Sequence, residues 1–360
     1  MASEYKATIT YNDDSTYDVP LNGSTILTRP EVEGGPNNKD TIRSVVIYDG
    51  VTELNSTFGY NNGVTCVTIP SSVTKINADT FKECPKLTDV INDSTITDFN
   101  GFTSCRNLVS INMPQTVNTA AMSFSGNYST DIAEVHINDI ESCCGISWSS
   151  SPGKRFFIGD TLVRNVIVPN SVTKIGDGAF SGCGAIETIV IPDTVTKIGS
   201  SAFSGCSNVK SIVIGSGATT VSDSAFSRCI PFYLSVDTRQ ALYVFRRRNS
   251  YETSDKRLLE MVIGDNVTGT LPEYIFAKYR ALAKITIGSG VTNLNYNNFE
   301  NNVNLISLTV RASSPPVGIS LLKLPQQTKI YVPCNSVANY KSASGWSDYS
   351  SRIFGYDCNQ

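Results

Sequence analysis

Three segments of the chain align without gaps: Ser171-Val-Thr-Lys-Ile-Gly-Asp-Gly-Ala-Phe180, Thr194-Val-Thr-Lys-Ile-Gly-Ser-Ser-Ala-Phe203 and Gly217-Ala-Thr-Thr-Val-Ser-Asp-Ser-Ala-Phe226. Their phenylalanines stand 203 − 180 = 23 and 226 − 203 = 23 residues apart. This period constrains the fold more than any other feature. A unit that short cannot bury an apolar face alone, so it must stack on copies of itself and grow along one axis. The length of 360 residues therefore does not translate into two or three globular domains.

Before each phenylalanine lies a short run in which alternate residues are aliphatic, such as Ile186-Glu-Thr-Ile-Val-Ile191 and Leu282-Ala-Lys-Ile-Thr-Ile287. Period-2 alternation marks a strand with one buried face. The central inward residue recurs at Val45, Val67, Val90, Ile111, Val135, Val166, Ile189, Ile212, Met261, Ile285, Leu308 and Ile330. Two steps are long, 166 − 135 = 31 and 261 − 212 = 49. The second is about two periods and points to a degenerate repeat around Leu234 and Val236. Each unit reads as strand, turn, second apolar piece (Val195 and Ile198 in one copy) and a tight closing turn carrying Ala202 and Phe203. Stacked units should form an α/β solenoid, a leucine-rich-repeat array with a curved parallel sheet, little helix and both ends capped.

The sixteen residues Ile-Pro-Asp-Thr-Val-Thr-Lys-Ile-Gly-Ser-Ser-Ala-Phe-Ser-Gly-Cys, 191–206, closely resemble the consensus of BspA-like leucine-rich repeats. The resemblance runs from about residue 42 to 335 and is strongest over 166–229. The segment from Lys329 to Tyr349 looks like the capping piece common in such proteins of gut bacteria and their phages. The resemblance implies a surface or secreted protein that binds host or partner macromolecules, with no catalytic motif to carry over.

Outside the array, Tyr5–Tyr11 and Ser15–Val19 alternate around the turn signal Asn12-Asp13-Asp14. We read residues 1–40 as an N-terminal hairpin that covers the first repeat or forms an attachment module, with a Pro- and Gly-rich loop over 29–40. The solenoid occupies 41–335, with insertions near 137–163 and 230–257. Residues 336–360 form the C-terminal cap. There Ser336 caps a short helix through Tyr340, and Trp346 and Tyr349 close the last layer.

Cys84, Cys105, Cys183, Cys206 and Cys229 all follow a phenylalanine by three residues, which reads as a buried, small apolar position rather than a disulfide or metal set. Cys334 and Cys358 are candidates to pair in the cap, and Cys143 and Cys144 have no reading from sequence. His136 is the single histidine, which argues against histidine-pair metal sites and a catalytic triad. No phosphate loop, dinucleotide fingerprint or nucleophile elbow is present. No catalytic residue, metal or cofactor is therefore expected, and a glycan-acting enzyme built on scattered carboxylates is a remote alternative.

With 29 basic and 32 acidic residues, net charge −3, the chain lacks the basic face that nucleic acid demands. It also has no apolar run long enough to span a membrane. The outward strand positions remain. Those following the inward residues are Val46, Thr68, Ile91, Asn112, His136, Ile167, Val190 and Val213, rich in β-branched side chains. They read either as β-propensity on a sheet face or as a strip that a partner covers. Arg246, Arg247 and Arg248, placed in the second insertion, are either a solvated charge run or a grip for an anionic partner.

The expected function is non-catalytic binding or attachment. The partner is a protein or glycan on a cell or particle surface, and the chain is a virion fibre-type protein or a bacterial surface adhesin. An intracellular interaction scaffold is the alternative. Met1-Ala-Ser-Glu-Tyr-Lys6 does not begin a signal peptide, an expectation that favours the virion, whose proteins assemble inside the cell.

Overall fold

A computed structural model of the chain describes residues 4–37, 39–77, 79–92, 105, 107–108, 110–112, 134–137, 139–144, 155–248, 257–277, 279–295, 297–318 and 324–358. Phe102 and Phe124, which would continue the phenylalanine series, and Trp148, within the first insertion, lie outside these residues. The chain is a parallel β-solenoid with little helix. It divides into two compact units. The first holds Met1–Arg164, Ile175–Ala185 and Ser201–Cys206, and the second holds Asn165–Lys174, Ile186–Ser200 and Ser207–Gln360.

In the first unit a nine-stranded sheet runs, in spatial order, from Thr161–Leu162 through Arg155–Ile158, Glu134–Ile137, Ser110–Asn112, Asp89–Asn92, Cys66–Ile69 and Ile42–Ile47 to the hairpin Tyr5–Tyr11 and Thr16–Pro20. Val45 is in register with Val67, Val67 with Val90, Val90 with Ile111, and Ile111 with Val135. These are the inward residues that the period identifies. The first insertion is smaller than its sequence suggests, because Arg155–Ile158 adds a further parallel strand beside Glu134–Ile137. Chain direction then reverses at Gly159, whose φ of +57° suits a residue without a Cβ, and Phe157 and Ile158 pair antiparallel with Leu162 and Thr161. That reversal ends the sheet, so among the described residues the inward-register strands form two nine-stranded sheets, beside three small ones of two or three strands, rather than the single sheet that the period suggests.

The second unit also holds a nine-stranded sheet, from Asn165–Ile167 to Ile353–Tyr356. Its inward register runs Val166, Ile189, Ile212, Leu234, Met261, Ile285, Leu308, Ile330, Ile353. Leu234 thus fills the degenerate repeat. The rest of the second insertion includes a helix, Arg239–Arg248, that takes the place of the closing turn. Ala241, Leu242, Val244 and Phe245 are its buried face. Arg246, Arg247 and Arg248, which the sequence placed in an insertion, therefore sit on the last turn of a helix. The alternation Ala-Leu-Tyr-Val-Phe is too short for its 3.6 period to stand out in sequence.

The closing turns stack their aromatic rings. Phe58 lies on Phe81 at 5.2 Å, and Phe180 lies on Phe203 at 5.2 Å with planes 6° apart. In the second unit Phe226 meets Phe245 at 5.2 Å and Phe276 meets Phe299 at 5.1 Å. The cysteine position has a polar task as well. The thiols of Cys84, Cys105 and Cys206 donate to the carbonyls of Phe58, Phe81 and Phe180, at 2.9, 2.8 and 3.3 Å. Each carbonyl belongs to an earlier turn, where Phe58 O also accepts from Asn61 N at 3.0 Å and Phe180 O from Cys183 N at 3.3 Å, so the thiol adds a second bond that ties neighbouring turns together. Where Phe299 is followed by Asn302 instead of cysteine, the amide does the same for Phe276 O at 2.8 Å and Tyr279 O at 3.2 Å.

At the N-terminus, Tyr5–Tyr11 pairs antiparallel with Ile42–Ile47 and closes the sheet edge. Lys6 is fully buried, and its ammonium donates to Glu31 Oε1 at 2.6 Å and to Ile26 O at 2.8 Å. Glu31 lies on a helical turn, Arg29–Glu33, where sequence suggested loop. Its carboxylate also accepts from Thr28 N at 2.8 Å. At the other end Ser336 precedes the helix Val337–Ser342 but makes no side-chain cap bond. Tyr340 and Trp346, edge-to-face at 4.8 Å, close the layer, while Tyr349 stays half-exposed with Arg352 over its ring. Their polar atoms are satisfied by Ala312 O and Pro316 O, both at 2.7 Å. Within the cap, after its helix, the chain adds one more strand, Ile353–Tyr356, held by a Cys334–Cys358 disulfide.

Candidate binding surface

Strand alternation sets the exposed face. With Ile189 and Ile191 buried, Thr188 and Val190 point away from the core, and the same parity holds from strand to strand. In the first unit Val46 pairs with Thr68 and Thr68 with Ile91, while Asn112 pairs with His136 and His136 with Phe157. Val46 and Ile91 are exposed, Thr68 and His136 half-buried. Asn112 is placed on its strand by the backbone pairing alone. In the second unit Ile167, 61% exposed, pairs with Val190, Val190 with Val213 and Val213 with Ser235. The row continues through Val262, Thr286, Thr309, Tyr331 and Phe354.

The structure thus arranges the candidate residues as one row within each unit rather than as a focused site. Adjacent members lie about one strand spacing, ~4.8 Å, apart. Each row acquires aromatic residues that the period did not single out. His136 stacks on Phe157 at 5.2 Å with planes 18° apart, and the Arg155 guanidinium lies 5.8 Å from the same ring. Tyr331 and Phe354 stand 6.1 Å apart at the end of the second row. Phe157 escaped the sequence reading because its strand sits in the segment taken for an insertion. Phe354 escaped because its strand lies inside the segment taken for the cap.

Chemistry on this frame is limited. Cys84 is raised above the ordinary thiol range by hydrogen bonding with Cys105 and then by burial. Burial pushes Cys143 well up, and pushes Cys144 to about 12. The half-buried Cys66 on the outward face is raised by burial and by the Asp89 charge. These thiols are protonated at neutral pH and are not prepared nucleophiles. Among the described residues no group of three His, Cys, Asp or Glu side chains could hold a metal ion, and no helix is long and apolar enough to cross a membrane.

The family model of the BspA-type leucine-rich repeat region matches residues 37–144, 150–244 and 247–344, in six copies. The chain belongs to the BspA-type leucine-rich-repeat family. Solved structures similar to this BspA-type array include a leucine-rich cell surface protein from Faecalibacterium prausnitzii, at 23% identity and TM-score 0.30, covering 86% of this chain and 88% of that one. A leucine-rich repeat protein from Bacteroides ovatus matches at 17% identity and TM-score 0.36, over 97% and 98% of the two chains. The pneumococcal vaccine antigen PcpA matches at 14% identity and TM-score 0.26, over 98% of each. No curated protein matches the chain.

Proposed function

We propose that this BspA-type protein is a non-catalytic binding or attachment protein that presents its outward strand rows at the exterior of a bacterial cell or of a virus particle. The observation that carries the reading is the row of outward side chains that continues across the second sheet from Ile167 to Phe354, β-branched or aromatic on every strand except at Ser235. A repeat array spreads recognition over such a face, and a protein or glycan is the scale of partner it suits. The Cys334–Cys358 disulfide supports an oxidising exterior over a cytoplasmic scaffold.

The test has two parts. Antibody raised to the chain should label intact cells or purified particles, and external protease should remove the signal. The purified chain should also adhere to its native host surface, and Val190→Asp with Val213→Asp should abolish adhesion without loss of folding. Recovery of the protein only from the soluble cell interior would reject the reading.

A further inference from the structure

A second surface stands out when the repeats are compared with one another at one position. The residue just before each strand's first outward side chain forms a backbone ladder along the rim of the second sheet. Lys210 N donates to Glu187 O at 2.7 Å and Phe232 N to Lys210 O at 2.8 Å. Leu259 N then donates to Phe232 O at 2.8 Å, Ala283 N to Leu259 O at 2.9 Å and Ile306 N to Ala283 O at 2.8 Å. In the first unit the same position holds Arg43, Thr65 and Thr88, joined the same way. The position is thus polar in those repeats and at Glu187 and Lys210. It then turns apolar for four consecutive repeats, and these side chains are not buried. Phe232 is 37%, Leu259 47% and Ile306 57% exposed, with Ala283 half-buried between them. Packing does not demand this switch, because the preceding repeats stack equally well with charged residues there.

The strip is bordered by positive charge. The Arg257 guanidinium lies 4.7 Å from the Phe232 ring centroid, and Arg280 is exposed in the turn that precedes Ala283. Neither has a carboxylate partner among the described residues, whereas Lys210, at the polar end, is paired with Glu187 at 2.7 Å. The rim is held in place: Asn304 Nδ2 donates to Arg280 O at 2.7 Å, and Gln327 Nε2 donates to Val303 O at 2.9 Å.

Spacing decides what fits. Four residues on adjacent strands stand about 4.8 Å apart and span about 14 Å. An extended peptide repeats a side-chain face every two residues, or roughly 6.6 Å, and falls out of step after two contacts. A helix with apolar residues at i, i+3, i+7 and i+10 repeats every ~5 Å and covers this length in about ten residues. We propose that the rim strip Phe232–Leu259–Ala283–Ile306 docks an amphipathic helix of a partner protein, its apolar stripe on the strip and its flanking carboxylates on Arg257 and Arg280. The mode is that of a helix lying on an apolar surface between charged borders.

The inference rests on the binding reading above only in that both make the chain a binder; it uses different residues, so the two fail separately. The test uses the full chain and a fluorescent, end-blocked helical peptide with leucines at i, i+3, i+7 and i+10 and glutamates beside them. Binding followed by anisotropy should saturate. It should weaken at least tenfold in Leu259→Asp and in Ile306→Asp, the loss expected when one buried aliphatic contact is removed. Arg280→Glu should weaken the glutamate peptide and strengthen one with lysines in place of the glutamates. Leu21→Asp, an exposed apolar residue of the first unit, should leave binding unchanged. Equal binding of the lysine peptide by the unmodified chain would overturn the proposal. So would binding indifferent to Leu259→Asp and Ile306→Asp, or no binding in the millimolar range by a chain that melts normally. Displacement of the peptide by heparin oligosaccharides or anionic vesicles, with those ligands sensitive to the same aspartates, would overturn it in favour of a glycan or a membrane.

Discussion

Phe203→Ala should destabilise the array by about 3–5 kcal/mol, the range for removing a large buried side chain. Phe203 is fully buried and lies on Phe180 at 5.2 Å with planes 6° apart, so the alanine leaves a ring-sized void and an uncovered ring. Of that loss, the removed pair should account for about 0.5–1.5 kcal/mol beyond buried area. Relaxation into the void is restricted, because Phe180 N is tied to Ala202 O at 2.7 Å and Cys206 Sγ to Phe180 O. With a urea m-value on the order of 3 kcal/mol/M, the unfolding midpoint should fall by roughly 1–1.7 M. Far-UV circular dichroism reads the midpoint, and Leu21→Asp serves as the exposed control. A shift corresponding to less than about 1 kcal/mol would mean that the closing-turn ring is not a core element, and the stacking argument would fail at every repeat.

Four further outcomes follow from the same structure. The thiols of Cys84, Cys105, Cys183, Cys206 and Cys229 should label only after unfolding, and with no reductant required; full labelling of the native chain would contradict their burial. Asn302→Ala should cost about 1–3 kcal/mol by removing the two bonds that tie its turn to Phe276 O and Tyr279 O, while Asn302→Cys should cost less, since cysteine serves the equivalent carbonyls elsewhere; equal losses in thermal melts would refute the shared task. Cys334→Ser should lower stability by roughly 3 kcal/mol for a 24-residue separation, an effect that reductant should reproduce in the natural chain. Glu31→Gln should cost about 3–5 kcal/mol by leaving Lys6 buried without its partner, measured by the same melts. Glu31 is held below the ordinary carboxylate range by Lys6 and Thr28 against the opposing effect of burial. Its contribution is therefore complete above its unfolded pKa and is lost as pH falls through the lower folded value, and Glu31→Gln should flatten that acid limb.

How much of this was legible in the sequence follows from the kind of signal each feature leaves. The inward register from Val45 to Ile330 was readable because a buried strand face imposes period 2, and a stacked array repeats that pattern at 23 residues. Leu234 was recoverable because a gap of two periods must hold a turn. Arg239–Arg248 was not, since a single short helix that replaces a closing turn has too few residues to declare its own period. The same holds for Arg29–Glu33, where Pro30 suggested a loop although proline suits the first helical turn. Asn302 illustrates a different loss. Read as side chains, asparagine and cysteine share little, and the Phe-x-x-Cys pattern passes over Phe299. Read as donors, they do the same thing, and only the carbonyl of Phe276 reveals it. The candidate surface divides along the same line. Outward positions such as Val190 and Val213 follow from alternation and were legible. The rim strip was not, because Phe232, Leu259 and Ile306 lie one residue before the strand, where parity no longer assigns a face. An apolar residue there looks like part of the core until its exposure is known. What makes the strip informative is that five polar residues at the same position, Arg43, Thr65, Thr88, Glu187 and Lys210, show what the fold tolerates, so its four apolar members answer to something outside the fold.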